Sequence, residues 1–125
     1  MVSVIEGIVA VGDQRGRTLG FPTANLAIGA EVELADGVYA GVVELEDGTR
    51  SPAAVSVGRR PHYYQGGERL VEAYLLDFDG ELYGKKIRVV LGKLVRSQRS
   101  FATDAELVEQ IALDVETVRG LPLGA

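Results

Sequence analysis

The stretch VYAGVVELEDGTRSPAAVSV, from Val38 to Val57, decides the fold class of this chain. Val38 to Leu45 is an apolar run rich in β-branched residues, and Arg50 to Val57 is a second run of this kind. Asp47-Gly48 between them is typical of a tight hairpin turn, because glycine tolerates the positive φ angles that such turns need. The stretch therefore predicts two antiparallel strands joined by a short turn.

Further runs of strand character lie on both sides of this hairpin. They are Val2 to Val11, Leu70 to Phe78 and Lys86 to Leu94, with turn signals at Asp36-Gly37 and Asp79-Gly80. Glycine-containing loops separate them at residues 12–20 and 58–67. Five or six short strands with turns between them and no helix predict an antiparallel sandwich or barrel.

The end of the chain has helical character. Thr103 and Glu106 have the spacing of a capping box, in which each side chain binds a backbone N–H group that the first helical turn leaves without a partner. The apolar residues that follow at helical spacing are Leu107, Ile111, Val115 and Val118, and the residues that end the pattern are Gly120 and Pro122. We predict one helix over about residues 104–119 that packs an apolar stripe against the sheet.

Composition excludes several classes of protein. The chain has 125 residues, 46% of them hydrophobic, which fits a single domain over residues 1–125. Its net charge of -5 argues against a nucleic-acid-binding surface. It has no cysteine and one histidine, His62, which excludes disulfides, zinc–thiolate sites and multi-histidine metal sites. With no apolar run near the membrane-spanning length and no signal pattern, we expect a soluble, cytoplasmic protein.

The segment from Gly12 to Asn25 could bind phosphate. Its glycines allow backbone N–H groups to approach a polyphosphate, and Arg15 and Arg17 add positive charge. Thr23 and Asn25 would supply two neutral oxygens, which suit Mg²⁺ together with phosphates and water. The residues alone favour the other interpretation, a surface loop, because the segment lacks the Walker spacing and its strand–loop–helix context.

The strand around Glu72 could carry a catalytic base. Glu72, Tyr74 and Leu76 alternate onto one face of the predicted strand, and a carboxylate in such an apolar run needs an explanation. One explanation is a general base that accepts a proton from a hydroxyl. The other, which the residues alone favour, is an outward-facing glutamate paired with a lysine or arginine.

Two further polar segments could contact a ligand. Leu94 to Phe101 connects the last strand to the helix and could cover a planar ligand with its two arginines, Arg96 and Arg99. His62 with its two neighbouring tyrosines could stack on one. For both segments, a solvated surface is the more common role.

Taken together, these segments resemble the riboflavin kinase family over about residues 6–114. The most specific motifs are LGFPTANL, from Leu19 to Leu26, and VEAYLLDFDGELYG, from Val71 to Gly84. The resemblance implies a six-stranded antiparallel Greek-key barrel over about residues 2–98 followed by the helix. It also implies transfer of the γ-phosphate of Mg-ATP to the 5′-hydroxyl of riboflavin, giving FMN and ADP.

The resemblance assigns roles to individual residues. Glu72 corresponds to the catalytic glutamate, which orients and deprotonates the riboflavin 5′-hydroxyl. Thr23 and Asn25 correspond to the residues that hold Mg²⁺ and the ATP phosphates. The other residues implied to contact ATP are Gly12, Gly16, Arg17, Gly20, Tyr74 and Asp77. Those implied to contact the flavin are Val89, Arg96, Arg99 and Phe101.

Departures from the family pattern concern the substrate contacts. Tyr74 stands where bacterial members typically have histidine, and Val95 and Gln98 replace a leucine and a glutamate. The loop from Arg59 to His62 carries arginine and histidine where small threonines are usual. These changes bear on affinity more than on the type of reaction. They also keep open a second hypothesis, a flavin- or nucleotide-binding module of the same fold with weak or no turnover.

Bacterial members of the family are usually the C-terminal half of a bifunctional enzyme that also makes FAD. A chain of 125 residues is too short to hold both activities. We expect either a stand-alone kinase or an excised half, with an FMN adenylyltransferase domain or protein as its partner. We further expect a monomer that binds riboflavin and ATP and neither nucleic acid nor membrane.

Overall fold

The structure, a computed structural model, describes residues 3–9, 23–28, 35–59, 69–76, 82, 84–97 and 102–121. Within this part the chain forms strands and one helix, in the order β1 (Ser3–Ile8), β2 (Thr23–Ile28), β3 (Gly37–Leu45), β4 (Arg50–Arg59), β5 (Arg69–Leu75), β6 (Lys86–Arg96) and α1 (Asp104–Arg119). The predicted β class and the predicted C-terminal helix are confirmed. In this described part the helix is too short and too polar to cross a membrane.

The described strands form one antiparallel sheet in the spatial order β1-β6-β3-β4-β5-β2. β3, β4 and β5 are consecutive neighbours, whereas β6 returns to pair with the other side of β3. The sheet is curled, as the distance between its two edge strands shows. A Cβ added to Gly7 on β1 would lie 3.2 Å from Cδ2 of Leu26 on β2, at the opposite edge. The two edge strands therefore approach each other although they are far apart in the strand order.

The hairpin between β3 and β4 has the predicted turn. The Gly48 N–H donates to the Leu45 carbonyl at 3.0 Å, and the Leu45 N–H donates to the Thr49 carbonyl at 2.8 Å. Gly48 has φ of +92°, which a residue with a Cβ adopts only with strain. Asp47 accepts a hydrogen bond from the Thr49 N–H at 2.8 Å. Hydrogen bonding from Thr49 lowers the pKa of the Asp47 carboxyl below its ordinary value.

Apolar side chains pack on both faces of the sheet. The inner cluster fills the concave side and consists of Ile5, Val9, Leu26, Tyr39, Val43, Ala53, Val55, Val57, Val71, Ala73, Leu75, Leu82, Ile87, Val89 and Leu91. The helix-side cluster lies between the sheet and α1 and consists of Ala40, Ala54, Tyr74, Leu76, Ile111, Val115 and Val118. Because strand residues alternate between faces, β5 contributes to both clusters. The predicted split of β5, with Tyr74 and Leu76 opposite Val71, is confirmed.

Helix α1 begins at the predicted cap, with one difference. The Glu106 N–H donates to Thr103 Oγ1 at 3.2 Å, as a capping box requires. The carboxylate of Glu106 accepts from the N–H of Ala102 at 2.9 Å, so the returning hydrogen bond reaches one residue further back than predicted. The Glu106 side chain therefore still gives a hydrogen-bond acceptor to a backbone N–H group just before the helix, that of Ala102. The side chain of Leu107 and residue Pro122 lie outside the described part of the chain.

Arg96 joins the last strand to the helix. Its Nε donates to Oδ1 of Asp114 and its Nη2 donates to Oδ2, each at 2.8 Å. Gln110 Nε2 donates to the same Oδ1 at 3.0 Å. The predicted connection from Leu94 to Phe101 begins later than expected, because β6 continues to Arg96, and the bidentate ion pair holds the Arg96 side chain.

Candidate active site

Strand β5 places Glu72 in the protein interior. Its side chain is buried, with 1% of the residue exposed, on the face of the sheet that carries Tyr74 and Leu76. An ionised carboxylate is costly to remove from water unless hydrogen bonds compensate it. The interpretation of Glu72 as an outward-facing surface residue is therefore wrong.

Tyr74 provides one such hydrogen bond. Its hydroxyl donates to Oε1 of Glu72 at 2.6 Å, and both residues are buried. This separation lies in the range of charge-assisted O–H···O⁻ hydrogen bonds. Glu72 and Tyr74 are two positions apart in β5, so their side chains lie on the same face of the strand and the tyrosine hydroxyl comes next to the glutamate carboxylate.

The register of the sheet brings residues from other strands next to this pair. Asn25 on β2 is the cross-strand partner of Glu72, and Thr23 is the partner of Tyr74. On the other side of β5, Ser56 of β4 is the partner of Glu72. Cross-strand partners lie on one face of a sheet, with Cα atoms about 4.5–5.5 Å apart. The predicted metal-binding pair and the predicted base are therefore neighbours, although they come from distant parts of the sequence.

The positions around Glu72 suit a magnesium ion bound with nucleotide. Threonine and asparagine offer neutral oxygens, and the buried carboxylate of Glu72 lies at the next strand. Mg²⁺ typically takes few ligands from the protein and the remainder from phosphates and water. The donor types present at these positions fit that pattern.

Comparison with known proteins identifies the family. The sequence profile described as riboflavin kinase matches residues 2–121, nearly the whole chain. This chain belongs to the riboflavin kinase family. The chain is 42% identical over 115 residues to the bifunctional riboflavin kinase/FMN adenylyltransferase of Escherichia coli K12, covering 92% of this chain and 36% of that protein. The chain thus spans about a third of the length of the curated relative.

Solved structures with the same fold include the following two. A riboflavin kinase from Trypanosoma brucei superposes with a TM-score of 0.60 at 28% identity, over 93% of this chain and 76% of that chain. A Streptococcus pneumoniae protein described as a macrolide-efflux protein superposes with a TM-score of 0.78 at 32% identity, over 95% of this chain and 39% of that chain. The riboflavin kinase fold therefore accounts for nearly all of this chain.

The riboflavin kinase resemblance implied flavin contacts for two residues that the structure describes. Val89 is fully buried in the inner cluster, on the opposite face of the sheet from Glu72. Arg96 belongs to the same cross-strand row as Glu72, through Val38 and Ser56, three strands away. Three strand spacings amount to about 14 Å along the sheet. The structure therefore brings neither residue into contact with the Glu72–Tyr74 pair.

Several implied site residues lie outside the described part of the chain. They are Gly12, Gly16, Arg17, Gly20, Asp77, Arg99 and Phe101, together with Arg15, His62 and Gln98. Their roles remain those implied by the riboflavin kinase family.

The sequence patterns missed two polar residues, one beside Glu72 in the sheet and one on α1. Ser56 is the cross-strand partner of Glu72 and is half-buried. Asp114 lies on the buried side of α1 and holds Arg96. The sequence contained a sign of the second, because Asp114 interrupts the apolar stripe between Ile111 and Val115. A charged residue in such a stripe predicts a buried ion pair.

Proposed function

We propose that this chain transfers the γ-phosphate of Mg-ATP to the 5′-hydroxyl of riboflavin, giving FMN and ADP. Membership of the riboflavin kinase family supports the reaction. The observation that carries the assignment to particular residues is the buried carboxylate of Glu72 beside the backbone position of Asn25.

In this proposal Glu72 is the general base. Its carboxylate accepts the proton of the 5′-hydroxyl while the hydroxyl oxygen forms a bond to the γ-phosphorus and the bond to the β-phosphate oxygen breaks. Phosphoryl transfer depends mainly on positioning and on compensating charge, so one correctly positioned base is enough to deprotonate the attacking hydroxyl.

The nucleotide would bind beside this base. Thr23 and Asn25 would hold Mg²⁺, which when bound compensates negative charge on the phosphate oxygens. The glycine-containing loop over residues 12–20, together with Asp77, would cover the phosphates. The loop residues assigned to this role are Gly12, Gly16, Arg17 and Gly20. Arg99 and Phe101 would cover the flavin ring, with Arg96 holding their connection to the sheet.

We further propose that the sheet is a six-stranded Greek-key barrel. The spatial order β6-β3-β4-β5, three consecutive strands with the fourth returning beside the first, is the arrangement of a Greek key. The close approach of Gly7 to Leu26 supports closure between β1 and β2. Since the E. coli relative is named as bifunctional, we propose that FMN passes from this chain to an FMN adenylyltransferase.

The experiment incubates purified protein with riboflavin, ATP and Mg²⁺ and separates the flavins by chromatography. We expect FMN, and we expect Glu72→Gln to lower kcat about 10²-fold or more while riboflavin binding persists, because glutamine keeps an acceptor for Tyr74 but cannot take a proton. Glu44→Gln, at a strand glutamate paired with Arg50 at 3.1 Å on the surface, is the matched control and should retain activity.

Two results would contradict the proposal. Flavin binding by the wild-type protein without any FMN would favour the binding-module hypothesis. Equal kcat in the Glu72→Gln and wild-type proteins would remove Glu72 from the mechanism. A further variant, Asn25→Ala, should raise the KM for Mg-ATP far more than the Kd for riboflavin, and an equal change in both constants would argue against its metal role.

A further inference from the structure

We infer that Tyr74 is a positioning residue for Glu72 and that its hydroxyl fixes the carboxylate in the orientation used for proton transfer. This inference rests on the proposed phosphotransfer. Tyr74 stands where the family pattern has a nucleotide contact, but its hydroxyl is directed to Oε1 of Glu72 at 2.6 Å inside the protein. The residue therefore acts on the base.

The ring of Tyr74 is held by its surroundings. Tyr74 is 4% exposed and belongs to the helix-side cluster. Its row across the sheet consists of Ala40 on β3, Ala54 on β4 and Tyr74 on β5. The two alanines are small, which leaves space for the aromatic ring between the sheet and Ile111 and Val115 of α1. Packing thus determines where the hydroxyl lies.

A fixed hydroxyl limits the motion of the carboxylate. The terminal torsion of a glutamate is broad, so an unrestrained carboxylate samples many orientations. One strong hydrogen bond to Oε1 selects among them, and a carboxylate retains capacity to accept further hydrogen bonds. Tyr74 belongs to the cluster that includes residues of α1, so the packing of this cluster restrains the ring and, through its hydroxyl, the base. Loss of this restraint should affect the chemical step and leave substrate binding nearly unchanged.

Tyr39 offers a matched control. It is also buried, 7% exposed, and its hydroxyl donates to the Ala35 carbonyl at 2.6 Å. It lies in the inner cluster, on the other face of the sheet. Tyr74→Phe and Tyr39→Phe therefore remove the same atom from two hydrogen bonds of equal length, the first buried and the second partly buried, and only the first bond involves Glu72.

We expect Tyr74→Phe to lower kcat about tenfold, which corresponds to about 1.4 kcal/mol. The KM values for riboflavin and Mg-ATP should change less than about twofold, and Tyr39→Phe should retain the wild-type kcat while losing a similar amount of thermal stability. In the Glu72→Gln background, Tyr74→Phe should cause no further loss of kcat, because the group that it positions no longer acts as a base. A tenfold loss that persists in that background would overturn the inference, and so would wild-type kcat in Tyr74→Phe.

A spectroscopic measurement separates this inference from the proposed function. The side-chain carboxyl ¹³C signal of Glu72, assigned through Glu72→Gln, should move in Tyr74→Phe and stay in place in Tyr39→Phe. An unmoved signal in Tyr74→Phe would contradict the hydrogen bond between Tyr74 and Glu72, even if the enzyme is active. If the wild-type protein makes no FMN, the proposed function fails, while the movement of the carboxyl signal still decides whether Tyr74 holds Glu72.

Discussion

The ion pair between Arg96 and Asp114 should contribute strongly to the stability of the protein. Asp114→Asn removes the charge and one acceptor oxygen but keeps the size of the side chain. In the wild-type protein two N–H···O bonds of 2.8 Å join the guanidinium and the carboxylate, and Gln110 adds a third bond of 3.0 Å to the same carboxylate. The amide of the asparagine would instead present N–H donors toward the guanidinium, which has no acceptor.

The magnitude follows from the burial of the pair. The side chains of Arg96 and Asp114 are 17% and 6% exposed. Removing one member of a buried pair costs about 3–5 kcal/mol, because the remaining charge has lost its compensation. Water can still reach part of the guanidinium, so we expect about 3 kcal/mol, the lower end of this range. A domain of this size has a free energy of unfolding of about 5–15 kcal/mol, so the loss is a large fraction of it.

Urea denaturation followed by far-UV circular dichroism measures this effect. With an m value of about 2 kcal/mol/M, Asp114→Asn should lower the unfolding midpoint by about 1.5 M. Glu44→Gln is the control, since Glu44 pairs with Arg50 at 3.1 Å and Arg88 at 3.8 Å where both arginines are about half exposed. Exposed pairs contribute about 0–1 kcal/mol, so its midpoint should fall by less than about 0.5 M. Equal shifts in the two variants would refute the reasoning from burial.

Three smaller predictions concern the hairpin and the helix cap. Gly48→Ala should destabilise the protein by about 1–2 kcal/mol in the same assay, because φ is +92° there and no atom lies within 4 Å of the added Cβ, so the cost is conformational. An unchanged midpoint would argue against this. Thr103→Ala should cost about 1 kcal/mol through loss of the hydrogen bond to the Glu106 N–H, and a cost no larger than that of an exposed surface substitution would contradict the cap. The pKa of Asp47 is lowered from 3.8 by hydrogen bonding from Thr49, so its contribution to stability is present above pH 3.8 and is lost as the pH falls through the lower folded value. Titration of the Asp47 carboxyl by NMR should give a midpoint below 3.8, and a midpoint at or above that value would contradict the hydrogen bond.

Local patterns in the sequence predicted the elements of this fold well. The alternation in β5 assigned Glu72, Tyr74 and Leu76 to one face because successive strand residues point to opposite sides. The turn at Asp47-Gly48 and the cap at Thr103 were predictable, since both depend on residues within a few positions of each other. β2 was the exception. Its six residues, Thr23–Ile28, give too short a run to separate from the loop before it.

The motifs of the riboflavin kinase family predicted the proposed reaction, but the chemistry of the residues did not. Read alone, the carboxylate of Glu72 was better explained as an exposed ion-pair partner. Its burial arises only in the folded sheet, and no pattern within β5 contains that information. A family resemblance therefore implied a role for Glu72, and the structure adds that its carboxylate is buried and hydrogen-bonded by Tyr74.

The sequence by itself determined the strands other than β2, the Asp47-Gly48 turn, the helix and the alternation of side chains between the faces of β5, because these depend on local conformational preference and on periodicity. The tertiary structure alone decided that Asn25 lies beside Glu72, that Tyr74 holds the carboxylate and that Asp114 holds Arg96. These contacts depend on strand register and on the docking of α1. Both are set by burial of apolar surface between segments distant in sequence, which local preferences do not specify.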